Sequence, residues 1–267
     1  NVLHKLSIAT PDAVVRRPYL EECLALAERI GDKGGMARAL FNLSLDILES
    51  SQSASALALS ERSLALAHDL GSRQDMARGH MGRSFVWLHL GQFERAREDA
   101  HQASQIAQAI NYIWVVMNSY HLFLAAAAGL GDWATVQKPV TVTLEPSLYA
   151  RLLELAQVLH LRARLATDPA DPALRAALMS QLHLFLERKD DDQLPGVLAN
   201  LALYLAQQGA LAEAQQLYAF VRTLPGVASS LWCAAVRGPH IPGPLPEPEK
   251  GEKWDVAAAW LEKLSAQ

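Results

Sequence analysis

The sequence predicts an all-α protein, a solenoid of antiparallel helix pairs, and three observations carry that expectation. Segments recur at a shift of 40 residues, a period that belongs to stacked helix-pair units. Within each segment the apolar residues fall at helical spacing, so every helix has a stripe to bury. The one β-leaning run, "VTVTL" at 140–144, is closed in by Pro139 and Pro146.

Along the chain, "EECLALAERIG" at 21–31 pairs with "ERSLALAHDLG" at 61–71, repeating Glu21, Leu24, Ala25, Leu26, Ala27 and Gly31. Residues 36–75 and 76–115 share Met36 with Met76, Ala37 with Ala77, Arg38 with Arg78, Ser44 with Ser84, Leu48 with Leu88, Gln52 with Gln92, Ala56 with Ala96 and Ala67 with Ala107. Leu40, Leu43, Ile47 and Leu48 form one helical stripe, and Leu57, Leu64, Ala67 and Leu70 a second. "LGQF" at 90–93 returns as "LGDW" at 130–133, and the helix that follows is expected to stop at Pro139. Two helices of different spacing come next. One spans 147–166 with Ser147 as its cap; the other spans 172–189, with Asp171 as cap and Pro172 at the first helical position, where a missing N–H costs nothing. Whether 147–190 is degenerate repeat or insertion stays open. "QQGALAEAQQLYAF" at 207–220 shows the glycine corner and alanine-rich helix again. The proline-rich 238–251 reads as an extended linker, and 252–267 as an amphipathic helix with Trp254, Ala258 and Leu261 on one side, either a docked cap or a partner-binding tail. The organisation expected is therefore regular repeats over 1–138, an irregular helical pair over 139–190, a further repeat and capping helix over 191–237, the linker, and the last helix.

Composition narrows the function. The chain has 267 residues, 51% hydrophobic and 19% charged, with a formal net charge of −4, so no broad positive field draws nucleic acid. No apolar run reaches the roughly 18 residues of a membrane span. Cys23 and Cys233 stand alone and far apart, which fits a reducing cytoplasm and neither a disulfide framework nor a thiolate metal site. The start at Asn1, with no leader-like pattern, suggests a piece of a longer protein. The sequence carries no P-loop, no G-x-S-x-G elbow and no paired-histidine metal motif. His80, His89, His101, His121, His160 and His183 are scattered, and "RKDDDQ" at 188–193 reads as a solvated turn. Neither an enzyme nor a bound cofactor or metal is expected.

Ser84, Trp87, Gly91, Phe93, Ala96 and Ala103 in one unit, and Leu43, Ser44, Ala56 and Ser63 in the one before, resemble the tetratricopeptide repeat in its long form of about 40 residues. The resemblance covers 20–138 well and 194–224 in part. Arg83 stands where that family has leucine, and Ser51 where it has the corner glycine. "LALAERIGDKGGMARAL" and "LALAHDLGSRQDMARGH" look like the long repeats of bacterial multidomain regulators, signal-transducing ATPases and maltose-regulator-like transcription activators among them.

The resemblance implies a right-handed superhelix whose concave groove holds a protein segment, peptide or small inducer, with an NTPase switch elsewhere in the parent chain. A free-standing scaffold is the alternative. In the family's register the groove positions are Arg38, Phe41, Leu45 and Leu48, then Arg78, Met81, Phe85 and His89, then Asn118, His121 and Ala125. Arg38 and Arg78, one period apart, would form a ladder for carboxylates or phosphates; simple solvation or capping by these arginines is the plainer reading. The lysine and asparagine set with which some members clamp a terminal carboxylate is not reproduced. Tyr112, Trp114, Tyr120 and Trp133 cluster where the repeat breaks down, as core packing across an irregular junction or as the lining of a ligand pocket.

Overall fold

Helix starts keep the 40-residue cadence from Ala13 to Trp133. The computed structural model describes residues 13–48, 53–138, 146–189, 194–224, 241–249 and 251–265. Among these, the elements in order are α1 (Ala13–Ile30), α2 (Lys33–Leu48), α3 (Ser53–Asp69), α4 (Arg73–His89), α5 (Phe93–Ala109), α6 (Ile113–Gly129), α7 (Trp133–Val136), α8 (Pro146–Thr167), α9 (Leu174–Arg188), α10 (Leu194–Gln207), α11 (Leu211–Val221) and α12 (Lys253–Ser265), with no strand among the described residues. The secondary structure of the described residues is thus all helix. No described helix is long and apolar enough to cross a membrane. The β-leaning run at 140–144, Ser51, the aspartates at 190–192 and Cys233 lie outside the described residues.

Two units divide the chain, Asn1–Ala126 and Ala127–Gln267, the division falling inside α6. In the first unit four described corners share one construction. Gly31, Gly71, Gly91 and Asn111 have φ of 69°, 62°, 71° and 54°, the left-handed region that ends a helix. The residue after each closes the turn: Asp32 N–H reaches Ala27 O at 2.9 Å, Ser72 N–H reaches Ala67 O at 3.1 Å, Gln92 N–H reaches Trp87 O at 2.9 Å and Tyr112 N–H reaches Ala107 O at 2.8 Å. Asn111 breaks the glycine run without breaking the turn, because a short amide side chain tolerates this conformation.

Between corners, small residues let the helices nest. A Cβ added to Gly82 would lie 2.7 Å from the Phe41 ring, and one added to Gly79 would lie 3.2 Å from the backbone of Leu64. Ser84 Oγ donates to Ala96 O and Ser63 Oγ to Ala37 O, both at 2.7 Å, so these hydroxyls satisfy themselves across helix pairs without water. Ala56, Ala67, Ala77, Ala96, Ala103 and Ala107 are fully buried. At the start of the unit Arg16 Nε donates to Asp46 at 2.9 and 3.1 Å, tying α1 to α2.

In the second unit α7 is cut to one turn, capped by Asp132, whose Oδ1 accepts from Thr135 N–H at 3.1 Å. Asn200 Nδ2 donates to Val158 O at 2.8 Å and Gln207 Nε2 to Leu165 O at 3.1 Å, both across 42 residues. α8 and α10 therefore run side by side in the same direction. Both bonds join residues 42 apart in the chain, while the helix starts at 146, 174, 194 and 211 depart from the 40-residue spacing of the first unit. Two expectations need correction. α9 begins at Leu174, not Pro172, because Asp171 uses its carboxylate on Arg164 and on Ala173 N–H and leaves 172–173 as a turn. α12 buries Val256, Ala257, Trp260 and Leu264, while Trp254, Ala258 and Leu261 stay partly exposed. Its rotation follows from docking on α9, where Arg175 Nη2 donates to Leu264 O. The linker before it runs along α11 through Gln215 Nε2, which donates to Pro242 O at 2.6 Å.

Nesting at Gly82 makes a direct prediction. Gly82→Ala should lower stability by about 1–3 kcal/mol, the usual cost of overpacking. Gly34→Ala, where the added carbon meets only ordinary contacts at 3.4 Å and beyond, should be neutral or stabilising by up to about 1 kcal/mol, since alanine is the better helix former. Denaturant unfolding of the two variants checks the contrast.

Candidate functional site

Two polar constellations stand out in the first unit. The first is a cleft between α4 and α5. His80, Arg83 and Trp87 lie at helical spacing on α4, and Arg95, Glu98, Asp99 and Gln102 lie at the same spacing on α5, so two stripes face each other across an open cavity of about 450 Å³. Asp99, 4% exposed, is the anchor. Arg83 grips it with a fork, Nε to Oδ2 at 2.7 Å and Nη2 to Oδ1 at 2.8 Å. His80 Nδ1 lies 2.8 Å from Oδ1; a carboxylate only accepts, so Nδ1 carries the proton. Burial pulls the Asp99 carboxyl upward, but the hydrogen bonds from His80 and Arg83 outweigh it and hold the carboxyl below its ordinary value. The same hydrogen bond raises the Arg83 guanidinium. At the rim, the Arg95 guanidinium sits 4.9 Å over the Trp87 ring. This cleft has its charges internally matched, and its chemistry is that of a clasp holding α4 to α5.

A signal for it was present in the repeat. At the shift of 40, Leu40, Leu43 and Leu59 become His80, Arg83 and Asp99. Three apolar positions change together into a mutually satisfied polar set, so the departure at Arg83 called for a buried acid on the facing helix.

The second constellation joins two of the predicted groove residues. Arg78 Nη2 donates to Tyr112 Oη at 2.9 Å and Nη1 to Asp75 at 3.3 Å, with the guanidinium 5.6 Å from the Tyr112 ring centroid. The Tyr112 ring lies 6.2 Å from that of Trp114. Asn118 Nδ2 donates to Trp114 O at 2.8 Å. Trp114 itself is 49% exposed. It is not core packing; it is the outer face of a platform whose inner edge is pinned by Arg78.

The other predicted positions divide by burial. Phe41, Met81, His89 and His121 are buried, as are Leu48 and Ala125, and offer little side-chain surface to a ligand. Phe41 is spent against Gly82. His89 Nδ1 donates to Phe85 O at 3.1 Å. Burial alone lowers the His121 pKa to about 4, so its ring is neutral. Leu45 and Phe85 are partly exposed and pack against Leu48, Ala56 and Val86. Arg38 and Arg78 are not equivalent: Arg78 is tied down as described, while Arg38 is half-buried with its head beside Gly34. The two arginines of the expected ladder are therefore held differently. Among the described residues no three His, Cys, Asp or Glu side chains group as a metal site. Comparison with protein-family models gives no match, and comparison with curated proteins gives none.

The clasp makes stability depend on pH with a definite sign. The native Asp99 carboxyl titrates below its unfolded value of about 3.9, so its contribution is fully present above that value and is lost as pH falls through the native one. Asp99→Asn should therefore cost about 2–3 kcal/mol at neutral pH, the low end for a broken buried pair because Arg83 keeps some water contact. The difference from wild type should shrink below about pH 4. Denaturant midpoints of both proteins between neutral pH and pH 3 measure it.

Proposed function

We propose that this chain is a tetratricopeptide-like solenoid that recognises a protein or peptide segment, the sensing part of a cytoplasmic bacterial regulator whose NTPase switch lies elsewhere in the parent polypeptide. The solenoid half of the reading is supported by the 40-residue recurrence of helix starts, the left-handed corners, and the close contacts at Gly79, Gly82 and Ser84. Such units bury one another's apolar faces and leave a continuous surface for binding.

One observation carries the recognition half. Trp114 is half exposed beside a Tyr112 already fixed by Arg78. A large apolar ring held in place yet uncovered loses little entropy when a partner covers it, which is why tryptophan, tyrosine and arginine dominate interface energetics. Partly exposed Leu45, Phe85, Arg38 and Asn118 extend the same groove in the proposed register. An extended peptide with an apolar anchor flanked by a carboxylate fits these groups: the anchor covers Trp114, and the carboxylate pairs with Arg38.

A peptide-display selection against the full chain tests this. Peptides that bind wild type should lose affinity by about 30-fold on Trp114→Ala, the scale of an interface hot spot, with circular dichroism unchanged. Equal binding to wild type and to W114A would sink the platform as the recognition surface. The coding frame before Asn1 tests the rest: an NTPase domain there supports the regulator reading, and a start codon directly before Asn1 turns it toward a free-standing scaffold.

A further inference from the structure

Arg162 sits in the second half of α8 and is 7% exposed. Its orientation follows from its neighbours. Val158 O and Leu165 O both accept side-chain hydrogen bonds from α10, and positions 158, 162 and 165 fall on one helical stripe. The guanidinium therefore rises from the face of α8 that α10 covers. Its Nε is buried with no hydrogen-bond partner. Among the described residues no carboxylate pairs with it, and the titratable neighbour that acts on it is Tyr218 of α11, whose hydroxyl is uncharged at neutral pH. Burial lowers its pKa to about 10, which leaves it protonated at neutral pH.

A largely buried cation with no carboxylate beside it among the described residues is an arrangement that proteins avoid or complete with a ligand. The arginines of the first unit illustrate the rule, since Arg16, Arg78 and Arg83 each hold an aspartate. We propose that Arg162 is the base of an oxyanion-binding site among α8, α10 and α11, taking one phosphate or carboxylate group. Guanidinium nitrogens in a planar fork match two oxygens of such a group. The site is separate from the Trp114 platform and stands without it.

Thermal unfolding of the full chain tests the proposal, with chloride, phosphate and acetate compared at equal ionic strength. The wild-type midpoint should rise with the logarithm of the concentration of phosphate or of acetate beyond the chloride control. A response to phosphate alone marks a phosphoryl ligand, and a response to both marks a carboxylate-tolerant site. Arg162→Met should abolish the rise and unfold in chloride at or above the wild-type temperature, whereas Arg62→Gln, at an exposed ion pair, should keep it. Should R162M fail to fold, calorimetric titration of wild type and Arg162→Lys with phosphate decides, the lysine binding about tenfold more weakly or worse for want of the fork. A wild type that responds to neither anion, or an R162M or R162K variant that responds as wild type does, overturns the proposal.

Discussion

The structure of the first unit depends on the close approach of α2 to α4, made possible by the missing side chain at Gly82. Phe41 lies against that bare backbone, and the contact sets the rotation of α4 about its axis. Once that rotation is set, each sector of α4 has one duty. Gly79, Gly82 and Val86 meet the preceding pair, with Gly79 on Leu64 and Val86 packed with Leu48 and Ala56. Ser84 turns to α5 and hydrogen-bonds Ala96 O. His80, Arg83 and Trp87 face the acid of α5. Arg78 reaches toward the start of α6. At 3.6 residues per turn these sectors cannot be exchanged without moving all of them together, so a helix with almost no amphipathic stripe is still held in a single orientation.

That arrangement explains how the unit carries charge inside. Asp46 and Asp99 are almost wholly buried, and an unpaired carboxylate there would cost several times what one ordinary contact contributes. Each is held by a guanidinium from a different helix, Arg16 on α1 and Arg83 on α4. The pairs add little net stability over an apolar contact, as the leucines at 40, 43 and 59 in the preceding repeat illustrate. What they add is selectivity of register: His80 and Arg83 are satisfied only when α5 places Asp99 opposite them. Repeats that are otherwise interchangeable are thereby told apart.

Much of this was legible in the sequence because it is local. The period, the corners at Gly31, Gly71 and Gly91, and the small contacts at Ser84 and Ala96 depend on neighbours within one helix pair, and the pattern encodes them directly. Burial of the groove positions was not legible in the same way. Phe41 and Met81 occupy register positions that face a groove in an idealised array, but how far a side chain is covered depends on how deeply the next pair nests, and glycine at 79 and 82 nests it deeply. The C-terminal helix illustrates a second limit. Its stripe from Trp254 to Leu261 is apolar, yet the stripe with Trp260 and Leu264 is the one buried, because alanines at 257–259 make its faces nearly equal in hydrophobicity and the docking contact on α9 decides between them.

The distribution of satisfied charge also constrains where recognition can occur. In the first unit Arg16, Arg78 and Arg83 are occupied by aspartates of the same chain, and a partner competing for them would have to break buried hydrogen bonds before making its own. In the proposed reading, affinity there comes mainly from apolar surface that is uncovered, the exposed ring of Trp114. In the second unit the imbalance runs the other way: Arg162 is covered by protein, its Nε has no hydrogen-bond partner, and among the described residues no carboxylate pairs with it. In the proposed reading, a partner at the first surface contributes mainly by excluding water from a ring, with a smaller, salt-sensitive part from the carboxylate that pairs with Arg38. An anion at the second contributes by neutralising a desolvated charge, so it should be bound through a short-range contact that screening barely reaches. The two units therefore present surfaces of different physical kind.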